Sequence, residues 1–135
     1  MLIKCCKNGG EIEFSEKEGL IRSAGREYFR VTIRSTHLSS FTDVYAFDPF
    51  DSNLVRFFED LAGNWKGFDG EKEWNSLEGE FSLICTSDSL GHFVLEVTIR
   101  NTEDTRCARK TIYIESGQLE KIVFEVRDFF NISRT

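Results

Sequence analysis

Ser87, Asp88, Ser89 and His92 place a nucleophile, an acid and a base within six residues, the side-chain types of acyl transfer. A working triad needs its members to converge from separate elements, with the acid orienting the base. Four polar residues around Ser87-Asp88-Ser89-Leu90-Gly91 read more simply as a tight turn. Glu78 and Glu80 stand two apart on what reads as a strand, so they share a face and have the types of an acid/base pair for glycoside cleavage. The facing strand supplies His92, Val94, Glu96, Thr98 and Arg100, so a solvated ladder of charges accounts for them better. Gly67-Phe68-Asp69-Gly70 has the outline of a loop that grips a nucleic-acid backbone. Asp69 and its acidic neighbours oppose that use. No phosphate-binding, dinucleotide-binding, zinc-protease or serine-hydrolase signature is present. No catalytic residue is therefore assigned, and an enzyme would have to rely on Glu78, Glu80 or His92.

The four cysteines have no metal-ligand spacing. Cys5 and Cys6 are adjacent, so on a strand they point to opposite faces and share neither a bridge nor a ligand easily. Cys85 is in phase with Phe81 and Leu83, a core position, and Cys107 opens another strand. His37 and His92 stand far from any cysteine pair. Reduced thiols, no metal and no cofactor are expected. The N-terminus MLIKCCKNGG lacks an apolar leader, and no run approaches the roughly 18 apolar residues of a membrane helix. The expected compartment is the cytoplasm.

The elements that must carry these residues follow from hydrophobic period. Two runs flank the Ser87–Gly91 turn: Leu77, Phe81, Leu83 and Cys85 on one face of the first, and Phe93, Leu95, Val97 and Ile99 on one face of the second. Alternation on both sides of a Gly-containing turn predicts a hairpin. Upstream, Leu2–Cys6 and Glu11–Phe14 read as strands joined by Lys7-Asn8-Gly9-Gly10. A third strand spans Tyr28–Thr36, with Phe29, Val31 and Ile33 opposite Arg30, Thr32 and Arg34. The fourth, Ser40–Phe47, buries either Phe41, Tyr45 and Phe47 or Val44 and Ala46.

Asp48-Pro49 then predicts a helix start, with Asp51 in its first turn. Phe50, Leu54, Phe57, Phe58, Leu61 and Trp65 form an amphipathic stripe that Gly63 or Gly67 ends, a helix over 49–64. Cys107–Glu115 reads as a strand with Ala108, Ile112 and Ile114 on one face. Ser116 is the expected cap of a last helix over 117–131, carrying Leu119, Ile122, Val123, Val126 and Phe130.

Strands then a helix, twice over, predicts one α+β domain over residues 1–135: two antiparallel β-sheets packed with two amphipathic helices. The order resembles the whirly-type fold. Thirteen phenylalanines supply core material without a disulfide or a metal. A chain of 135 residues buries roughly two-thirds of its unfolded surface.

Charge is uneven. Residues 40–90 hold 11 acidic and 3 basic side chains, whereas the flanking segments are balanced or slightly basic. Such a middle repels a phosphate backbone and attracts basic proteins. A solvated acidic face that only maintains solubility is the plainer reading. The candidate partner surface is Asp69, Glu71, Glu73, Glu78, Glu80 and Asp88. Trp65, Phe68 and Trp74 are either its aromatic anchors or the plug beneath the loop, and the plug is favoured.

The pattern Leu54…Phe57-Phe58…Leu61-Ala62, Trp65, Gly67, Gly70, Trp74-Asn75-Ser76-Leu77-Glu78-Gly79, Gly91-His92, Ser116-Gly117-Gln118-Leu119 and Phe129-Phe130 resembles a family of small uncharacterised bacterial proteins. The likeness covers roughly the last two-thirds of the chain. Proteins of this kind resemble immunity proteins of contact-dependent and other polymorphic toxin systems. The resemblance implies neutralisation of a cognate toxin's C-terminal domain, a nuclease with a basic cleft being the expected class. It supplies no catalytic residues. Two other classes stay open: a homo-oligomeric scaffold or binding module, including a homodimer, and a small enzyme using Glu78, Glu80 or His92.

Overall fold

The computed structural model describes residues 1–16, 27–46, 53–76, 78–101 and 106–131. Two four-stranded antiparallel sheets and two helices make an α+β fold. The first sheet runs β1 (Leu2–Lys4), β2 (Glu11–Glu16), β3 (Glu27–Arg34), β4 (Ser39–Ala46), and α1 (Asn53–Gly63) follows. The second runs β5 (Lys72–Asn75), β6 (Phe81–Ser87), β7 (His92–Arg100), β8 (Cys107–Glu115), and α2 (Leu119–Asn131) follows. Strands neighbour one another in chain order within each sheet. Every pairing is therefore a local hairpin or meander step, and no crossover is needed.

β1, β2, β3, β6, β7 and β8 bury alternate residues, as a sheet with one solvated face requires. Phe29, Val31 and Ile33 of β3 lie inside, and Phe81, Leu83 and Cys85 of β6 pair with Ile99, Val97 and Leu95 of β7. The ambiguity in β4 resolves toward Val44, which is fully buried, while Phe41 is 58% exposed. Arg30 lies 4.1 Å above the Phe41 ring and holds Asp43 through Nε at 2.9 Å. Phe41 thus covers part of the outer face, where aromatic and cation stack.

Leu54, Phe57, Phe58 and Leu61 form the buried stripe of α1. The helix ends at Gly63, and the Asn64 amide donates to the carbonyls of Asp60 and Leu61. Trp65 is therefore not on the stripe; it lies past the helix end and is 53% exposed. The expected start at Asp48-Pro49, with Phe50 and Asp51, falls outside the described residues, as do Phe47 and Leu77. Leu119, Ile122, Val123, Val126 and Phe130 form the buried face of α2. Ser116 does not cap it. A single 3-10 turn over Ser116–Gln118 precedes α2, with Glu115 as the capping residue and Gln118 Oε1 accepting from the Glu115 amide at 2.9 Å. Gln118 Nε2 also donates to the Lys4 carbonyl, which ties the helix start to β1.

Phe58 is buried in the core shared by both sheets and both helices. Phe58→Ala is expected to cost about 3–5 kcal/mol. Urea unfolding should show a lower midpoint with an unchanged slope, while Phe41→Ala stays close to wild type.

Candidate protein-binding surface

The loop from α1 to β5 is held by its backbone. The Gly67 amide donates to the Asn64 carbonyl, and the Phe68 amide donates to Ser87 Oγ at 2.8 Å. Gly67 adopts φ +116°, and a side chain there would strike the Asp88 carbonyl. The loop can therefore rest on the β6–β7 turn only with glycine at this point. Phe68 packs on Phe93 with ring centroids 5.9 Å apart, and Trp74 packs on Phe81 at 5.3 Å. Of the three aromatic candidates, Phe68 and Trp74 are plugs against the core. Trp65 projects to solvent with Lys66 Nζ 5.2 Å from its ring.

Asp69, Glu71, Glu73 and Glu78 are exposed and follow the edge strand β5 from the loop before it to the turn after it. Of the two local basic residues, Lys66 stays beside Trp65, and Lys72 is engaged by Asp60 at 2.8 Å and lies over Phe68. The edge therefore keeps its acidic excess. Asp88 belongs to the turn at the opposite end of β6 from Glu78.

Glu80 differs from its expected role. It is 3% exposed, precedes β6 and accepts a hydrogen bond from Ser76 Oγ. Glu78 and Glu80 do not share a strand face, because β6 begins only at Phe81. Ser76 organises the turn from its centre. Its amide donates to the Phe81 carbonyl, and its Oγ accepts from the Phe81 amide at 3.0 Å. Glu80 thus satisfies a buried turn and leaves no accessible charge for a partner. The signal was local: a serine four residues before a glutamate, with Gly79 at φ +77° between them.

The Ser87–His92 constellation is also committed to structure. Asp88 Oδ1 accepts from the amides of Leu90 and His92, and Asp88 Oδ2 lies 2.8 Å from His92 Nδ1. Ser87 Oγ accepts from the Phe68 amide and donates to the Phe68 carbonyl. No serine hydroxyl is directed at the imidazole by these bonds. The His92 amide, followed by its side chain and the Leu90 amide, holds the Asp88 carboxyl below the usual aspartate range.

The face of β3 that carries Arg30 and Arg34 is not basic in effect. Asp43 engages Arg30, and Glu11 and Glu13 engage Arg34 at 3.0 and 2.6 Å. Among the described residues no His/Cys/Asp/Glu group is arranged to hold a metal. Cys5 and Cys85 are buried, whereas Cys6 and Cys107 are exposed. Burial pushes the Cys85 thiol up to about 12. Burial raises Cys5 too, but the amides of Tyr113, Lys7 and Asn8 outweigh it and bring that thiol below its ordinary value.

Two exposed apolar side chains complete the surface near Trp65. Leu90 is 78% exposed and Phe124 is 71% exposed. Ala62 lines one hollow with Trp65 and another with Phe124 along the α1–α2 seam. Both residues were readable as misfits: an apolar residue in a polar turn, and one off the apolar stripe of its helix.

The chain belongs to a family of unknown function (DUF6228), which it matches over residues 4–133. Neither a curated protein nor a solved structure matches it. Among the described residues no helix is long and apolar enough to cross a membrane.

Ser76→Ala removes the donor to Glu80 and the acceptor for Phe81, and is expected to cost about 1–3 kcal/mol, read by chemical unfolding. Asp88 gives a pH signature. Its folded pKa lies below the unfolded one, so its contribution is complete above the ordinary value of about 3.9 and is lost as pH falls through the depressed value. The stability difference between wild type and Asp88→Asn should shrink on acidification, measured by unfolding across that range.

Proposed function

We propose that this protein is an immunity protein that binds and neutralises the C-terminal domain of a cognate toxin in the cytoplasm of the producing cell. The observation that carries the reading is the run of exposed carboxylates Asp69, Glu71, Glu73 and Glu78 along edge strand β5, beside the exposed Trp65. An acidic rim steers a basic partner into encounter and sets its orientation. Tryptophan is among the side chains that concentrate binding energy at protein interfaces. A nuclease cleft, built to hold phosphates, has the complementary charge. Asp88 supports the same field from the β6–β7 turn, while Glu80 acts only inside the β5–β6 turn.

A second reading, self-association, is favoured by the exposed apolar set Trp65, Leu90 and Phe124. In that case a second copy of the chain covers the α1–α2 seam, and the molecular mass in solution doubles.

The test is the triple variant Asp69→Lys, Glu71→Lys and Glu73→Lys, assayed against the toxin domain encoded beside this gene. Association by surface plasmon resonance should slow at least tenfold, and wild-type association should slow with added salt. The melting temperature should stay nearly unchanged, because all three positions are exposed. Wild type should protect cells expressing that toxin and fail against unrelated ones. Absence of binding and protection by the wild type would end the immunity reading. A triple variant that binds as well as wild type would move the interface off the β5 edge.

A further inference from the structure

A cleft of about 770 Å³ separates edge strand β1 from helix α2, within the range of about 300–1,000 Å³ common for ligand sites. The phase of the β1–β2 ladder decides what β1 presents to it. Met1 and Phe14 exchange both main-chain hydrogen bonds, Ile3 stands opposite Ile12, and the Cys5 amide donates to the Gly10 carbonyl. Leu2 and Lys4 occupy the alternate positions, opposite Glu13 and Glu11. Their amides and carbonyls therefore point away from β2. The Lys4 carbonyl is taken by Gln118 Nε2, which closes that end of the cleft. The Leu2 amide, the Leu2 carbonyl and the Lys4 amide have no partner among the described residues.

Beyond Lys4 the same edge is occupied, since the Cys6 amide donates to the Tyr113 carbonyl of β8. Across from β1, Ile122 and Phe129 of α2 supply an apolar wall. Charge along the cleft is polar from end to end. Lys4 and Lys121 stand at the end Gln118 closes, and Glu125 and Asp128 stand at the open end. The other charged groups of the lining are engaged, the Met1 amino group by the Phe14 carbonyl and Glu13 by Arg34. Lys121 approaches Glu125 only to 3.9 Å, and Asp128 has no cationic partner among the described residues.

We infer that the β1–α2 cleft is a strand-docking groove, which takes an extended segment of a partner protein with a lysine or arginine directed at Glu125 and Asp128. Main-chain bonds to Leu2 and Lys4 would hold the segment, and alternate side chains would meet the apolar wall of α2. The carboxylates select the cationic residue at the open end. A three-residue edge bearing a lysine also serves simply to discourage aggregation; the walled cleft beside it is what a protective edge does not need. This inference does not rest on the immunity role, and its failure leaves that role untouched.

The probe is the peptide acetyl-Val-Thr-Val-Thr-Lys-amide, whose valines and lysine share one strand face, titrated into the full chain and followed by amide NMR. Saturable shifts are expected at Leu2, Lys4, Ile122 and Phe129. The glutamate-for-lysine peptide should bind at least tenfold more weakly, as should the probe to Asp128→Lys. Of two peptides N-methylated at alternate nitrogens, one should lose binding and the other keep it, since only one set of amides faces β1. Leu2→Pro should abolish binding while retaining the ladder, because Leu2 donates nothing to β2. Should Leu2→Pro fail to fold, the methylated peptides and Asp128→Lys decide the matter. Shifts absent from Leu2 and Lys4 at millimolar peptide, equal binding of both methylated forms, or indifference to lysine would overturn the proposal.

Discussion

Both sheets and the last helix depend on one aromatic junction. Phe14 of β2 and Phe29 of β3 meet Phe81 of β6 edge-on, with centroids 5.8 and 6.5 Å apart. Phe129 lies 6.1 Å from both Phe14 and Phe29, and Phe130 lies 5.2 Å from Phe29. Neither sheet encloses a core alone, because each is apolar on one face only. The rings bridge them, in largely edge-to-face geometry that aromatic quadrupoles prefer. Trp74 extends the junction by packing on Phe81, and so holds β5 to the same centre.

From that junction outward, the structure sorts charge by whether a partner is within reach. Arg30, Arg34, Lys72 and Arg127 each find an acid nearby. Exposed pairs of this kind contribute little to stability. Their larger consequence is to leave the β5 edge acidic and the Arg30–Arg34 face close to neutral. An acidic edge serves two ends at once: it discourages strand-to-strand aggregation, and it provides the field that a basic protein would feel.

Polar residues near the turns serve the backbone before anything else. Asp88 satisfies two amides, Ser87 satisfies one, and Ser76 with Glu80 closes the β5–β6 turn. A tight turn exposes amides that the ladder cannot pair, and short oxygen-bearing side chains supply the missing acceptors. Residues with the types of a hydrolytic site thus become turn chemistry once their geometry is known.

The sequence by itself determined the α+β order, the hairpin around Ser87–Gly91 and the buried faces of β3, β6, β7, α1 and α2. Those features follow from periods of two and 3.6 residues, which a linear chain records directly. Asn-Gly-Gly and Ser-Asp-Ser-Leu-Gly likewise marked turns whose backbone needs are local. Tertiary structure alone decided that Val44 and not Phe41 faces inward, since both faces of β4 carry apolar residues. It also decided that Trp65 leaves the helical stripe, that Glu80 is buried, and that Arg30 and Arg34 are neutralised. Each depends on what lies across space: Asp43 thirteen positions from Arg30, Glu13 twenty-one from Arg34, and the Gly67 loop seated on the β6–β7 turn. The groove beside β1 is the furthest case, because it joins Lys4 to Gln118 across 114 positions of chain, a proximity that no local pattern encodes.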